Sequence, residues 1–182
     1  TFDWTKGTIV MGSGDKAIEQ EDGSYVDADG NAVNADNQRL GKDGQVLYGY
    51  DLIINDVKIG TYTRDTEMNT IINDINANTE AGVKVDYSKT SDQFVFTAKE
   101  TGEGGRIDIG AGLGETLFGQ IDYKDDGSTI LGDTQKSSYT AGKDAIFHAT
   151  INGKNMALSR SSNTFDLDGM SITLNGTFNK GS

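Results

Sequence analysis

A chain with no cysteine and one histidine offers few starting points for chemistry. That histidine, His148, stands in Phe147-His148-Ala149-Thr150-Ile151, where Phe147, Ala149 and Ile151 alternate on one face and turn His148 towards solvent. A zinc site or a Ser-His-Asp triad built on it would lack partners. Asp27, Asp29 and Asn31 have the spacing of early calcium-loop ligands, but Gly30 falls two places early and position 32 is Ala. Their expected use is the geometry of a hairpin tip. Gly102, Gly104 and Gly105, then Gly110, Gly112 and Gly114, suggest a phosphate cradle, yet no Lys-Ser/Thr step follows them, so turns are expected. Among 28 acidic side chains no spacing singles out a pair for glycoside chemistry. Trp4, Tyr48, Tyr50 and Tyr62 could stack on sugar, although aromatic residues in strands more often pack. The expectation is a protein that is not an enzyme, with no cofactor, no metal and no assignable binding residue.

The charge balance narrows the partners. Sixteen basic against 28 acidic side chains give a net charge of -12 over 182 residues. Phosphate binding needs clustered Lys and Arg, whereas Arg39, Arg64, Arg106 and Arg160 are scattered, so nucleic acid is not expected. No apolar run approaches the roughly 20 residues that cross a bilayer, and no membrane partner is expected. The absence of cysteine makes the fold indifferent to redox compartment. The chain shows no signal-peptide pattern and does not begin with Met, so it reads as a processed protein or a piece of a longer one.

The elements that would position these residues are mainly strands. Glycine is abundant, at 24 residues, and proline is absent, which suggests many short strands joined by tight turns. Thr8 to Met11 reads as a short strand. Ser13 to Gln45 is polar and turn-rich, with Asp22-Gly23, Asp29-Gly30 and Asp43-Gly44 as turn dipeptides. Tyr25-Val26 and Ala32-Val33 flank one of them as a small hairpin. This stretch reads as an exposed insertion with little core of its own. Val46 to Tyr62 forms a hairpin turning at Asn55-Asp56. Met68, Ile71, Ile72 and Ile75 then fall on one helical face within Asp65 to Asn76, with Asp65 or Thr66 as the cap. Strands follow at Val83 to Tyr87, Phe94 to Ala98 and Arg106 to Ile109, giving the order β-β-α-β-β-β. Ile121 to Ser138 is loop-like. Ala145 to Leu158 is a hairpin turning at Asn152-Gly153, and Phe165 to Leu174 another turning at Asp168-Gly169. Ile53-Ile54-Asn55-Asp56-Val57-Lys58 before Thr63-Arg64 is echoed by Thr150-Ile151-Asn152-Gly153-Lys154 before Ser159-Arg160.

Two runs carry a resemblance. Ala141-Gly142-Lys143-Asp144-Ala145-Ile146-Phe147, Ile151-Asn152-Gly153, Ser159-Arg160-Ser161-Ser162-Asn163-Thr164-Phe165 and Asp168-Gly169-Met170-Ser171-Ile172-Thr173-Leu174 together resemble the flagellar filament-capping proteins, the hook-associated protein 2 family. Asp65 to Asn78 with Ile75-Asn76, Gly82 to Val85, Phe94 to Thr97 and Thr101-Gly102 resemble the short IN module of flagellins and hook-associated proteins. Ser13 to Gln45 resembles neither. The resemblance implies a structural head region at the extracellular flagellum tip that assists flagellin assembly and in some caps adhesion. It implies partners in flagellin, in host-surface glycans or proteins, and in further copies of itself as a ring. The helical coiled-coil ends of such caps are missing here, so the isolated chain is expected to be monomeric.

The expected fold class is mainly β (α+β), as two small β-rich modules, one carrying a single helix on an antiparallel sheet. Residues 1–14 plus 119–182 would form one discontinuous module, pairing the strand near Ile9 with the hairpins from Ala145 to Leu174. Residues 15–118 would be inserted in it, with 15–45 as the exposed insertion and 46–110 as the IN-like unit; a tandem order is the rival. Three functions follow: a cap head, the variable outer domain of a flagellin or other hook-associated protein, or a secreted glycan- or calcium-binding domain.

Overall fold

The computed structural model describes residues 2–90, 92–100, 105–119, 121–123, 129–131, 145–151, 154–160, 162, 164–167 and 170–173. Its elements run β1 (Thr8–Ile9), β2 (Ile18–Glu19), β3 (Tyr25–Val26), β4 (Ala32–Val33), β5 (Tyr48–Ile54), β6 (Val57–Tyr62), α1 (Met68–Ala77), β7 (Val83–Ser88), β8 (Gln93–Ala98), α2 (Leu113–Phe118), β9 (Ile121–Tyr123), β10 (Thr129–Leu131), β11 (Ala145–Ile151), β12 (Lys154–Arg160), β13 (Thr164–Leu167) and β14 (Met170–Thr173). The protein is mostly β, in small antiparallel sheets, with two short helices among the described residues.

The core lies between β5 and α2. Leu52, Ile54, Tyr62, Ile71, Ile75, Ala81, Val83, Val85, Ile107, Ile109 and Leu113 form one buried cluster. Leu52 and Ile54 share a face of β5, and Val83 and Val85 share a face of β7. Helix α1 closes the cluster with Ile71 and Ile75, and it packs on β6 and β7. A ten-residue helix is marginal alone, so burying two isoleucines, about 2–3 kcal/mol each, is what holds it. Asn76, next to Ile75, adds a strand-like tie: its Nδ2 donates to Val85 O at 2.9 Å and its Oδ1 accepts from Val85 N at 2.8 Å. The Ile-Asn pair thus fills the core with one residue and seals the edge of β7 with the next.

Tyr62 bridges sheet and helix. Its ring is buried, and its hydroxyl donates to Asp74 Oδ2 at 2.9 Å. Burial first, and the Asp74 carboxylate second, hold the phenol well above the ordinary tyrosine range. Of the seven tyrosines, Tyr62 is therefore expected to stay un-ionised in an alkaline spectrophotometric titration until the fold opens. A Tyr62→Phe variant should lose only about 1 kcal/mol, because Asp74 is exposed and can rehydrate. Ionisation of every tyrosine near pH 10 in the folded protein would contradict the assignment.

Several expectations change. β1 pairs with β5, Thr8 opposite Gly49 and Ile9 opposite Tyr48, in the sheet β1-β5-β6, and not with the hairpins beyond Ala145. Helix α1 starts at Met68 with Glu67 as N-cap and no side-chain cap bond. Thr66 does not cap it, because Thr66 Oγ1 accepts from Thr63 N at 3.0 Å in the preceding turn. Arg106 to Ile109 is no full strand: it contributes one bridge, Ile54 to Ile109, and the bond from Asn55 N to Asp108 O at 2.9 Å. Among the described residues a second short helix, α2, follows the expected one. Gly112 is the N-cap of α2, and Gly114 lies inside α2, where a Cβ would come within 2.8 Å of Ile109 Cγ2. That glycine is a packing contact rather than a turn. Within the stretch expected to be a loop, β9 pairs with β10.

The hairpin expectations at Tyr25 to Val33 and at Asn55-Asp56 hold. Asn55 and Asp56 take φ of +52° and +62°, as a two-residue turn of the mirror-image type requires. The echoed hairpin β11–β12 likewise leaves two residues between the pair Ile151 and Lys154, and β13–β14 pairs from Leu167 and Met170 back to Thr164 and Thr173. The turns Asn152-Gly153 and Asp168-Gly169, and Leu174, lie outside the described residues.

Candidate functional site

Among the described residues, three places bring together polar or aromatic groups that the sequence singled out. The first is a cleft of about 320 Å³ lined by Asn55, Thr79, Glu80, Ala81, Gly82, Lys99, Glu100 and Arg106. It is made where the β5–β6 turn, the α1–β7 connection, the end of β8 and the segment before Ile109 meet. Asn55 ties these pieces together. Its Nδ2 donates to Ala81 O at 2.7 Å and Arg106 O at 2.9 Å, and its Oδ1 accepts from Asp108 N at 2.7 Å. Arg106 Nη2 donates to Asp56 at 2.9 Å and Asp108 at 3.0 Å, and the Asp108 bond leads in holding the guanidinium above its ordinary pKa. Lys99 Nζ donates to Asn78 O at 3.2 Å. The cleft lining contains no nucleophile paired with a base, and Asn55, Lys99 and Arg106 each bind another part of the fold. It is a structural junction with a polar mouth.

The second place is Asp27, with only 1% of its side chain exposed. Oδ1 accepts from Asp29 N at 3.0 Å, Asn31 N at 2.8 Å and Asn31 Nδ2 at 3.1 Å. Oδ2 accepts from Ser13 N at 3.0 Å and Asn31 Nδ2 at 3.1 Å, with Arg39 Nη1 at 4.0 Å. Desolvation pushes this carboxyl up, but the N–H donors of Ser13, Asn31 and Asp29 outweigh it and hold the group well below the usual carboxylate range. A cation at Asp27 would have to displace those donors, so the Asp27-Asp29-Asn31 spacing serves the turn. Within residues 15–45, expected as an exposed insertion with little core of its own, Val33 is the one buried apolar residue, and it lies beside buried Asp27 and Asn37.

The third place is aromatic. Phe2, Trp4 and Tyr50 pack edge to face, with ring centroids 4.8 to 5.4 Å apart. Tyr50 Oη donates to Asp3 O at 2.6 Å and accepts from Lys6 N at 2.8 Å. The rings of Trp4 and Tyr50 clasp residues 2–6 onto β5. Tyr48 lies opposite Ile9 in β5, and Tyr62 is in the core, so the four aromatic residues do not form one platform.

The remaining residues are spread out. His148 stands opposite Ala157 in β11, and Arg160 opposite Ala145 in β12; their side chains, like Gly102 and Gly104, fall outside the described residues. Arg64 Nη2 donates to Asp43 at 2.5 Å and to Gln45 O at 3.2 Å. Each of Arg39, Arg64 and Arg106 thus stands beside an aspartate. Sequence reasoning missed Asn55 and Asp27 as junctions; the signal available was an Asn or Asp at a turn, which looks the same whether its side chain serves the turn or the tertiary fold. Comparison with family models, with curated proteins and with solved structures gives no match to the chain.

Proposed function

We propose that this chain is a non-catalytic structural module, the head region of a bacterial flagellar filament cap, presenting an acidic β-rich surface at the filament tip. The support is the run from Ala141 to Leu174 that resembles cap proteins, whose described parts are the consecutive hairpins β11–β12 and β13–β14. The Asn55 junction adds to it: polar groups that could form a site are engaged in joining segments, as suits a rigid presenting surface. On this reading the head supplies shape and surface, and assembly with flagellin is steric.

Light scattering across concentration tests it, on this chain alone and on the chain extended by its native helical ends. The expected result is a closed ring of several subunits for the extended chain and a monomer for the head. An extended chain that stays monomeric or grows into open filaments would reject the cap reading.

A further inference from the structure

The stretch that resembles no family is internally periodic. Gln20-Glu21-Asp22-Gly23-Ser24-Tyr25-Val26, Asp27-Ala28-Asp29-Gly30-Asn31-Ala32-Val33, Asn34-Ala35-Asp36-Asn37-Gln38-Arg39-Leu40 and Gly41-Lys42-Asp43-Gly44-Gln45-Val46-Leu47 align with a period of seven. Asp occupies the third place of each, Gly or Asn the fourth, and Val or Leu the seventh.

The backbone repeats with the sequence. In every unit the fourth N–H donates to the first carbonyl: Gly23 to Gln20, Gly30 to Asp27, Asn37 to Asn34 and Gly44 to Gly41. In every unit the first N–H donates to the fifth carbonyl: Gln20 to Ser24, Asp27 to Asn31, Asn34 to Gln38 and Gly41 to Gln45. The fourth residue is left-handed each time, with φ of +81°, +82°, +59° and +75°. This is a three-residue hairpin loop closed by a glycine-type bulge, used four times. The fifth N–H always meets a side-chain oxygen, supplied by Asp22, Asp27, Asn34 and Asp43. The two residues after each turn pair with the next unit, through Tyr25↔Val33, Val33↔Arg39 and Leu40↔Val46. Because a sixth residue pairs with a seventh in the neighbouring unit and opposite residues share a face, the seventh residue changes face at each step. Val33 and Leu47 are buried, while Val26 and Leu40 are only partly covered.

Residues 10–14 brace the inner units. Val10 N donates to Leu47 O and its O accepts from Arg39 N, Gly12 N donates to Asn37 O, and Ser13 O accepts from Ala28 N. Gly12 permits this approach, since a Cβ there would lie 2.6 to 2.8 Å from Asn37, Asp27 and Val33. The brace makes no such bond to the first unit. The turn Gln20–Ser24 is exposed throughout, and nothing lies within 4 Å of where a Gly23 side chain would start.

We infer that residues 20–47 are a tandem array of one seven-residue unit, and that its outermost turn, 20–24, is a permissive presentation site governed only by the unit rule. The rule is a left-handed-competent residue fourth and a side-chain acceptor for the fifth N–H. This uses residues 10–47 alone and does not depend on the cap reading.

The test grafts the pentapeptides of positions 27–31, 34–38 and 41–45, one at a time, onto positions 20–24 of the full chain. The first two supply the acceptor from their first residue and the third from its Asp. Amide exchange is read across β2 and β3. All three grafts should keep those amides within roughly threefold of the parent rates. A composition-preserving exchange, Gly23→Ser with Ser24→Gly, moves the glycine one place and should speed exchange roughly tenfold, since serine is then forced left-handed. Protection retained in that exchange variant, or lost in any one graft, would overturn the unit rule.

Discussion

Asn55→Ala is expected to destabilise the protein by about 3–4 kcal/mol, the sum of three lost hydrogen bonds near 1 kcal/mol each and up to about 1 kcal/mol by which alanine tolerates positive φ less well than asparagine. Ala81 O, Arg106 O and Asp108 N would each lose the partner that holds them over the cleft. Asn55→Gly removes the same three bonds but accepts φ of +52° freely, so it should cost less, about 2–3 kcal/mol. Urea unfolding of both variants reads the difference. For a chain of this length the alanine variant should melt roughly 8–14 °C below the parent. Amide exchange at Asp108 supplies a local reading, because that N–H donates to the side chain removed. Equal costs for Ala and Gly would mean that the turn backbone is not strained. A cost below about 1 kcal/mol for both would mean that Asn55 does not hold the junction.

Acid should reveal Asp27. Its folded pKa lies below the ordinary value of 3.8, so the charged form contributes stability that is complete above about pH 4. That stability is lost as pH falls through the depressed folded value. Asp27→Asn replaces an acceptor oxygen with an NH₂ that faces other N–H donors, and should lower Tm by roughly 5 °C at pH 7. The gap between parent and variant should stay flat from pH 7 to about pH 5 and shrink below pH 4, where the Asp27 carboxyl of the parent's unfolded chain takes up a proton. General relief of the -12 charge by acid affects both proteins and cancels in the difference. A gap unchanged at pH 2 would show that the carboxylate charge is not what the N–H donors stabilise. No gap at any pH would remove Asp27 as a stabilising acceptor within residues 15–45.

Much of the fold was readable because its causes are local. Met68, Ile71, Ile72 and Ile75 mark a helical face whatever it packs on, and the alternation through Val83, Val85 and Tyr87 marks a strand with one face inward. The Asn55-Asp56 turn was legible because few residues accept positive φ. The heptad array was harder to see, for a definite reason. Its third unit carries Asn37 in place of glycine, so the Asp-Gly steps mark only three of the four turns, and one interval is double the other. Helix α2 was hidden by Gly112 and Gly114, whose low helix propensity is overridden when Leu113 is buried and Gly114 lies against Ile109.

By itself, the sequence determined the mainly β class, the positions of most strands, the α1 segment and, having no cysteine, the exclusion of metal-thiolate sites. Those follow from period, turn chemistry and composition, which act within a few residues. Only the tertiary structure decided that β1 joins β5, that Asp27 is a buried acceptor and that Asn55 links three segments. Those depend on which distant N–H groups and strand edges arrive at the same place. Asn55 and Asp108 are far apart in the chain, and their spacing carries no sign that one amide will satisfy the other.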